Sequence, residues 1–248
     1  MRVAALYDIH GNLPALNAVL HEVRDARVDR VVVGGDVFPG PLCNEVLARL
    51  RELEVPVDFI RGNGETAVIA QKRGLVPPGV PEQYRPMIEW VAHELEEDDA
   101  AFVATWPLTC SLSIPQLGDV LFCHATPRND FEIFLPTTAE DKLRPVLEGV
   151  GQPVIVCGHT HMAFDRRVGR HRVVNAGSVG MPFGPAGADW LLLGPGVELR
   201  HTNYDLAAAA SVIRETAYPE ADAFAGTYIL DPPTAEKMIA AFTPAELK

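Results

Sequence analysis

The sequence predicts an α/β fold in which two sheets pack face to face with helices outside. Two observations carry that expectation. The first half alternates short apolar runs with stretches of helical periodicity, the order that builds parallel strands with right-handed crossovers. The second half holds paired apolar runs separated by tight-turn residues, the order of hairpins. The composition, 48% hydrophobic and 22% charged over 248 residues, is that of a globular chain and excludes disordered, collagen-like and coiled-coil classes.

Val3–Tyr7, Arg30–Gly34 and Val55–Ile60 read as buried strands. Between the first two, Leu16, Val19, Leu20 and Val23 recur at helical spacing, with Asn12 placed to cap and Pro14 in the first turn. Between the second and third, Val46, Leu47, Leu50 and Leu53 do the same, with Pro41 near the start. The rhythm breaks at Gly74. Pro77, Pro78, Pro81 and Pro86 make a rigid irregular segment, followed by a helical face of Met87, Trp90, Val91 and Leu95. The acidic run Glu94, Glu96, Glu97, Asp98 and Asp99 reads as a solvated face and turn. Residues 1–248 are thus expected to form one domain, with an insertion or cap at 74–106 that walls the substrate cleft. Beyond it, Thr109–Ile114 and Asp119–His124 predict a hairpin, Pro153–Cys157 a buried strand, and Phe164–Val168 with His171–Val174 a second hairpin across Gly169-Arg170. Asp189–Leu193 and Val197–Thr202 flank Gly194-Pro195-Gly196 as a third. Thr138 is placed to cap a helix over 139–148, and 206–216 and 234–242 read as C-terminal helices.

Lys plus Arg total 21 and Asp plus Glu 33, a formal charge of −12. Such a surface repels phosphate backbones, so non-specific nucleic-acid binding is not expected. An anionic substrate remains accessible where bound cations invert the local charge. No apolar run has the roughly 18 residues of a membrane span, and the run after Arg2 is too short for a secretory signal, so a cytoplasmic location without membrane attachment is expected. Cys43, Cys110, Cys123 and Cys157 have no C-x-x-C spacing and read as free thiols.

Five polar clusters follow five apolar runs: Asp8-Ile9-His10, Gly34-Gly35-Asp36, Gly62-Asn63, His124, and Gly158-His159-Thr160-His161. Strand ends are where open α/β sheets place their sites. Two Asp, one Asn and four His form a nitrogen and oxygen donor set that suits Mn, Fe, Zn, Co or Ni. Seven ligands are too many for one open catalytic ion and suit two divalent metal ions sharing a carboxylate. The alternate spacing of Asp8 with His10, and of His159 with His161, turns both members of each pair to one side of an extended chain.

These clusters, with Asp8-Ile9-His10-Gly11-Asn12-Leu13-Pro14, His124-Ala125-Thr126-Pro127-Arg128 and Asn175-Ala176-Gly177-Ser178-Val179-Gly180, resemble the motif series of calcineurin-like metallophosphoesterases of the small bacterial and archaeal phosphodiesterase branch. The resemblance implies a four-layer α/β/β/α sandwich of two mixed β-sheets. It implies a first metal on Asp8, His10, Asp36 and His161, and a second on Asn63, His124 and His159, with Asp36 bridging. It also implies phosphate-ester hydrolysis, of phosphodiesters above all, by a metal-bridging hydroxide. His10, Asp36 and His124 are then expected to be catalytic as well as ligating, and Asn12 and Arg128 to contact a small phosphate-ester substrate. A homo-oligomer is left open. The alternatives are a phosphomonoesterase acting on proteins or nucleotides, and a non-catalytic scaffold of the same fold, as in a retromer subunit that resembles it with altered ligands. Many family members carry His after the Gly-Asn, where it assists the leaving group; here Gly64 and then Glu65 follow. Glu65 is expected to cap the next helix. His21 and His93 lie on predicted helices and are expected to be surface or packing residues. Gly64→His is expected to flatten the dependence of rate on leaving group if the turn tolerates it.

Overall fold

Strand β1 (Val3–Leu6) of the computed structural model, which describes residues 1–77 and 79–247, is buried on both faces. Pro78 of the proline-rich segment lies outside the described residues. Ala4 and Leu6 of β1 enter one core, and Val3 and Ala5 enter another. A strand between two packed layers has no solvent face, which is why this run is apolar throughout. Helix α1 (Leu13–Asp25) follows, its first turn closed by the Asn12 side chain, which accepts the Ala15 N–H at 3.1 Å. Strand β2 (Arg30–Val33), helix α2 (Cys43–Arg51) and strand β3 (Val57–Phe59) complete the alternation. Leu53 falls beyond α2. Helix α3 (Asn63–Lys72) then opens directly on the Gly-Asn cluster.

The 74–106 stretch forms helices α4 (Arg85–Glu94) and α5 (Glu97–Val103). The acidic run is exposed as expected: Leu95 and Glu96 make the turn between α4 and α5, and Glu97, Asp98 and Asp99 occupy the first turn of α5, where carboxylates complement the helix dipole. Ile88, Val91, Leu95, Ala100 and Val103 share a core with α1 and α2, so this stretch completes a helix layer beside α3. Among the described residues no hydrogen bond or ion pair joins it to the predicted site residues.

Strands β4 (Thr109–Ile114) and β5 (Gly118–Cys123) form the expected hairpin. Helix α6 is short (Glu140–Leu143), passing into a 3-10 turn at Arg144–Val146 that holds Pro145. Thr138 does not cap it. Its hydroxyl accepts the Leu135 N–H at 2.6 Å and donates to Glu246, and Ala139 stands at the cap position. Strands β6 (Val154–Cys157), β7 (Phe164–Val168), β8 (His171–Asn175), β9 (Ala188–Leu193) and β10 (Val197–Thr202) follow. Helix α7 (Leu206–Arg214) precedes α8 (Ala221–Phe224), a π-helical turn over Ala225–Leu230 and helix α9 (Ala235–Phe242), whose N-cap is Thr234. The turns between α7 and α9 carry no periodicity long enough to read from sequence.

The two sheets run β10-β9-β1-β2-β3 and β4-β5-β6-β8-β7. In the first sheet β1, β2 and β3 run parallel and β9 and β10 pair antiparallel, while in the second β5, β6 and β8 run parallel between antiparallel β4 and β7. Val3, Val32, Phe122, Val156 and Leu191 fill the space between them, with Tyr7 reaching across to donate its hydroxyl to the Val156 carbonyl at 3.2 Å. Leu121, Ile155 and Val173 face outward onto Leu143 and Val146. Two mixed five-stranded sheets flanked by helices therefore set the ends of β1, β2, β3, β5 and β6 at one edge. Cys43, Cys123 and Cys157 are buried free thiols and Cys110 is half-buried and free. No helix of the described residues is long and apolar enough to cross a membrane.

Candidate metal centre

Each of the parallel strands ends in a turn that folds its polar residue inward. Eight residues other than glycine have positive φ among the described residues, and five of them are Asp8 (53°), His10 (47°), Asp36 (53°), His159 (68°) and His161 (56°). A left-handed backbone costs a side-chain-bearing residue about 1 kcal/mol or more, and concentrating it at one place is the mark of a built site. The turns are stitched together. Asp8 and His10 donate their backbone N–H groups to the Gly35 and Asp36 carbonyls, and His159 donates its own to Asp8 Oδ2 at 2.8 Å.

Six of the seven predicted ligands converge. His10 Nε2 lies 3.2 Å from His161 Nε2 and 3.7 Å from Asp36 Oδ2. His161 Nε2 lies 3.4 Å from Asp8 Oδ1. On the other side, His124 Nε2 lies 3.1 Å from Asn63 Oδ1, 3.5 Å from Asp36 Oδ1 and 3.9 Å from Asp8 Oδ1. The seventh, His159, stands beside His124 with ring centroids 5.1 Å apart. Two groups, Asp8-His10-His161 and Asp8-Asp36-His124, have ligand atoms within 4.8 Å of one another. Asp36 thus faces both histidine sets with separate oxygens, and Asp8 faces both with one.

Three imidazoles are oriented by backbone carbonyls. Nδ1 of His10 meets the Pro39 carbonyl at 3.0 Å, that of His124 the Gly34 carbonyl at 3.0 Å and that of His161 the Met181 carbonyl at 2.8 Å. A carbonyl only accepts, so each Nδ1 carries a hydrogen and each ring turns its Nε2 inward. The contacts His10–His161 and His124–Asn63 then each need a proton or a cation between the two atoms. Asp8 Oδ1 is buried with no hydrogen-bond partner. A buried carboxylate oxygen left unpaired among inward lone pairs fits a bound cation.

Charge follows the same geometry. Burial, reinforced by the neighbouring His161, pushes the His10 pKa down to about 3, and burial with His124 does the same to His159. Both offer free lone pairs at neutral pH. Burial alone would raise Asp8, but His161, His124 and His10 draw it down to about 2. Burial raises Asp36 to about 7, with Glu65 and Asp8 adding to it against the pull of His124. Burial would lower His124, yet Asp36 and Asp8 raise it. A cation entering here displaces the proton that Asp36 holds below about pH 7 and the one that His124 is raised to hold, so affinity is expected to climb with pH by about one decade per unit for each proton released. Manganese isotherms between pH 5.5 and 8.5 check this, and a flat profile contradicts it.

Glu65 does more than cap. It is fully buried, and its carboxylate accepts the N–H groups of Gly62 (2.7 Å), Asp36 (2.8 Å) and Phe38 (3.1 Å). One side chain thereby fixes both the Asp36 loop and the turn that presents Asn63. The cap to Gly62 was legible from the Gly-Asn-x-Glu spacing; the two bonds across sequence were not. Gly64 is equally constrained. A Cβ there would sit 1.9 Å from the Phe38 carbonyl oxygen, and the Gly64 N–H donates to Asp36 Oδ1 at 2.8 Å. Gly64→His is therefore expected to push the Asp36 loop away and lose metal rather than supply an acid. Metal content of the variant tests this, and a folded, fully loaded Gly64→His enzyme overturns it.

Asn12 is not free to meet substrate. It is fully buried, and besides the cap its amide donates to the Gly180 carbonyl (3.0 Å) and the Tyr204 hydroxyl (3.2 Å). The Arg128 guanidinium is engaged by Glu132. Asn175 donates to the Gly158 carbonyl at 2.6 Å and Ser178 to the Asp8 carbonyl at 2.7 Å, so that loop supports the site turns. His21 and His93 are exposed on α1 and α4.

The profile of the calcineurin-like phosphoesterase superfamily domain matches residues 1–193. The chain is 26% identical over 172 residues to the uncharacterized protein MJ0912 of Methanocaldococcus jannaschii, a stretch covering 65% of this chain and 63% of that one, just under two thirds of the relative. In structure it is similar to the hypothetical protein PH1004 of Pyrococcus horikoshii, with a TM-score of 0.76, 21% identity, and coverage of 90% of this chain and 97% of that one. It is likewise similar to a metallophosphoesterase of Sphaerobacter thermophilus, with a TM-score of 0.71, 20% identity, and coverage of 92% and 99%. With its family profile matched over more than three quarters of its length and its fold shared with those structures, the chain belongs to the calcineurin-like phosphoesterase superfamily.

Proposed function

We propose that this chain hydrolyses phosphodiesters with two divalent cations, the first held by Asp8, His10 and His161, the second by Asn63, His124 and His159, and both by Asp36. The inward Nε2 atoms of His10 and His161, 3.2 Å apart beside the unpartnered Asp8 Oδ1, are the observation that carries the reading, because one cation between them serves all three atoms. The bound cations would polarise phosphoryl oxygens and lower the pKa of water. Asp36 and Asp8 balance their charge, and the three backbone carbonyls keep the imidazoles aimed as charge develops. Arg128, committed to Glu132, leaves less positive charge for the second anionic oxygen of a monoester, which favours the diester. Within this reading the chain acts as one domain, with the 74–106 helices flanking α3, and its substrate is a small molecule.

Gly64 leaves the Asn63 turn without an acid at that position. Proton donation is worth roughly 10²–10⁴ in rate and matters most for basic leaving oxygens. Turnover of aryl phosphodiesters is therefore expected to fall steeply as the leaving group becomes more basic. A metal-supplemented comparison of graded aryl diesters with the matching monoesters tests the function: diesters are expected to exceed monoesters. Faster monoester turnover, or none on any ester, overturns the reading.

A further inference from the structure

Beyond the family-matched region lies α9, which packs against residues beside the candidate metal centre. Ala235, Met238, Ile239 and Phe242 lie at helical spacing on one half-buried face and pack against Leu135, Met162 and Phe183. The Phe183 ring stacks on the imidazole of His161, with centroids 4.9 Å apart and planes at 24°. Phe242 backs Phe183 at 6.0 Å. Glu246 and Leu247 are pinned behind them, because Leu247 donates its N–H to the Ile133 carbonyl at 2.9 Å and Glu246 accepts the Thr138 hydroxyl. An aromatic column thus runs from the last helix to a predicted ligand.

The column answers a mechanical need. The His161 ring is held at Nδ1 by the Met181 carbonyl, 2.8 Å away, and the Phe183 N–H donates to the His161 carbonyl at 3.0 Å. A ring held by one hydrogen bond still tilts about it, and a ring stacked on its face removes that freedom. His124 and His159 meet only edge to face, at 66°, and lie outside this cluster. A brace on one side of the centre alone should bias one site and spare the other.

We propose that Phe183, braced by Phe242 of α9, is a positioning residue for His161, so that the C-terminal helix sets the affinity of the Asp8-His10-His161 site. The proposal rests on the two-metal reading given above. Manganese isotherms on the full chain test it, with His161→Ala identifying the first site. Phe183→Leu is expected to weaken that site by roughly tenfold, the low end of what outer-shell substitutions cost, and to leave the second within about twofold. Phe242→Ala is expected to do the same more weakly, and Phe183→Tyr to restore wild-type affinity. Should Phe183→Leu not fold, Phe242→Ala on the half-exposed helix carries the same comparison. Equal weakening of both sites, or a lowered melting temperature with both affinities intact, overturns the proposal. A wild type that binds no manganese overturns the two-metal reading instead. The brace is then decided in metal-free protein by the His161 ring proton resonance, expected upfield under the Phe183 face and displaced in Phe242→Ala. A resonance indifferent to Phe242 contradicts it.

Discussion

Asp36→Asn is expected to strip both metals together and to lower turnover by roughly 10² or more, since outer-shell substitutions alone cost 10–100-fold. Asp36 presents Oδ1 to His124 at 3.5 Å and Oδ2 to His10 at 3.7 Å, so one carboxylate spans the two histidine sets. Asparagine keeps the volume and removes one of the two ligating oxygens. His161→Ala should empty mainly the first site, and His124→Ala mainly the second. Asp8 is the alternative bridge, because its Oδ1 lies 3.4 Å from His161 and 3.9 Å from His124. Metal analysis and turnover of the four variants separate the two. If Asp36→Asn retains two ions and normal turnover while Asp8→Asn loses both, the bridge is Asp8.

The largest loss of stability is expected from Glu65→Ala. Three buried N–H groups, of Gly62, Asp36 and Phe38, would lose their acceptor at once. Each unpaired buried donor costs about 1–3 kcal/mol, so the sum reaches several kcal/mol, a large part of the roughly 5–15 kcal/mol that holds a domain together. Metal binding should fail with it, because the Asp36 loop and the Asn63 turn lose their common anchor. Glu65→Gln, which keeps one acceptor oxygen, is expected to fall between wild type and alanine. Thermal and urea unfolding measure the loss, and a Glu65→Ala protein within about 1 kcal/mol of wild type would show that the anchor lies elsewhere.

Much of this was legible because strands buried on both faces leave an unmistakable pattern. Val3–Leu6 and Val154–Cys157 are apolar at every position, and the polar residue that follows each is then conspicuous. The candidate donors could be named from the sequence because nitrogen and oxygen side chains at consecutive strand ends have few other uses. What could not be read was long-range. Glu65 looks like a helix cap until the Asp36 loop folds onto it, and Asn12 looks available until Tyr204 and Gly180 take its amide. Gly64 looks like a replaceable position until the Phe38 carbonyl is found against it. Phe183 carries no sequence signal as a support, since the ring that backs it, Phe242, lies about sixty residues further on. The acidic run at 94–99 is the solvated turn expected but also hides the start of α5, because carboxylates suit a turn and a helix N-terminus equally well.

The central claim is that these side chains form a two-cation site. Metal content of the protein purified without chelator, read by mass spectrometry and followed through chelation and readdition, tests it most directly. Two divalent ions per chain are expected, with phosphodiester hydrolysis lost on chelation and restored on readdition, and one ion remaining in His161→Ala. Full hydrolysis by a chain carrying no divalent ion, or fewer than two ions per chain after readdition, would contradict it.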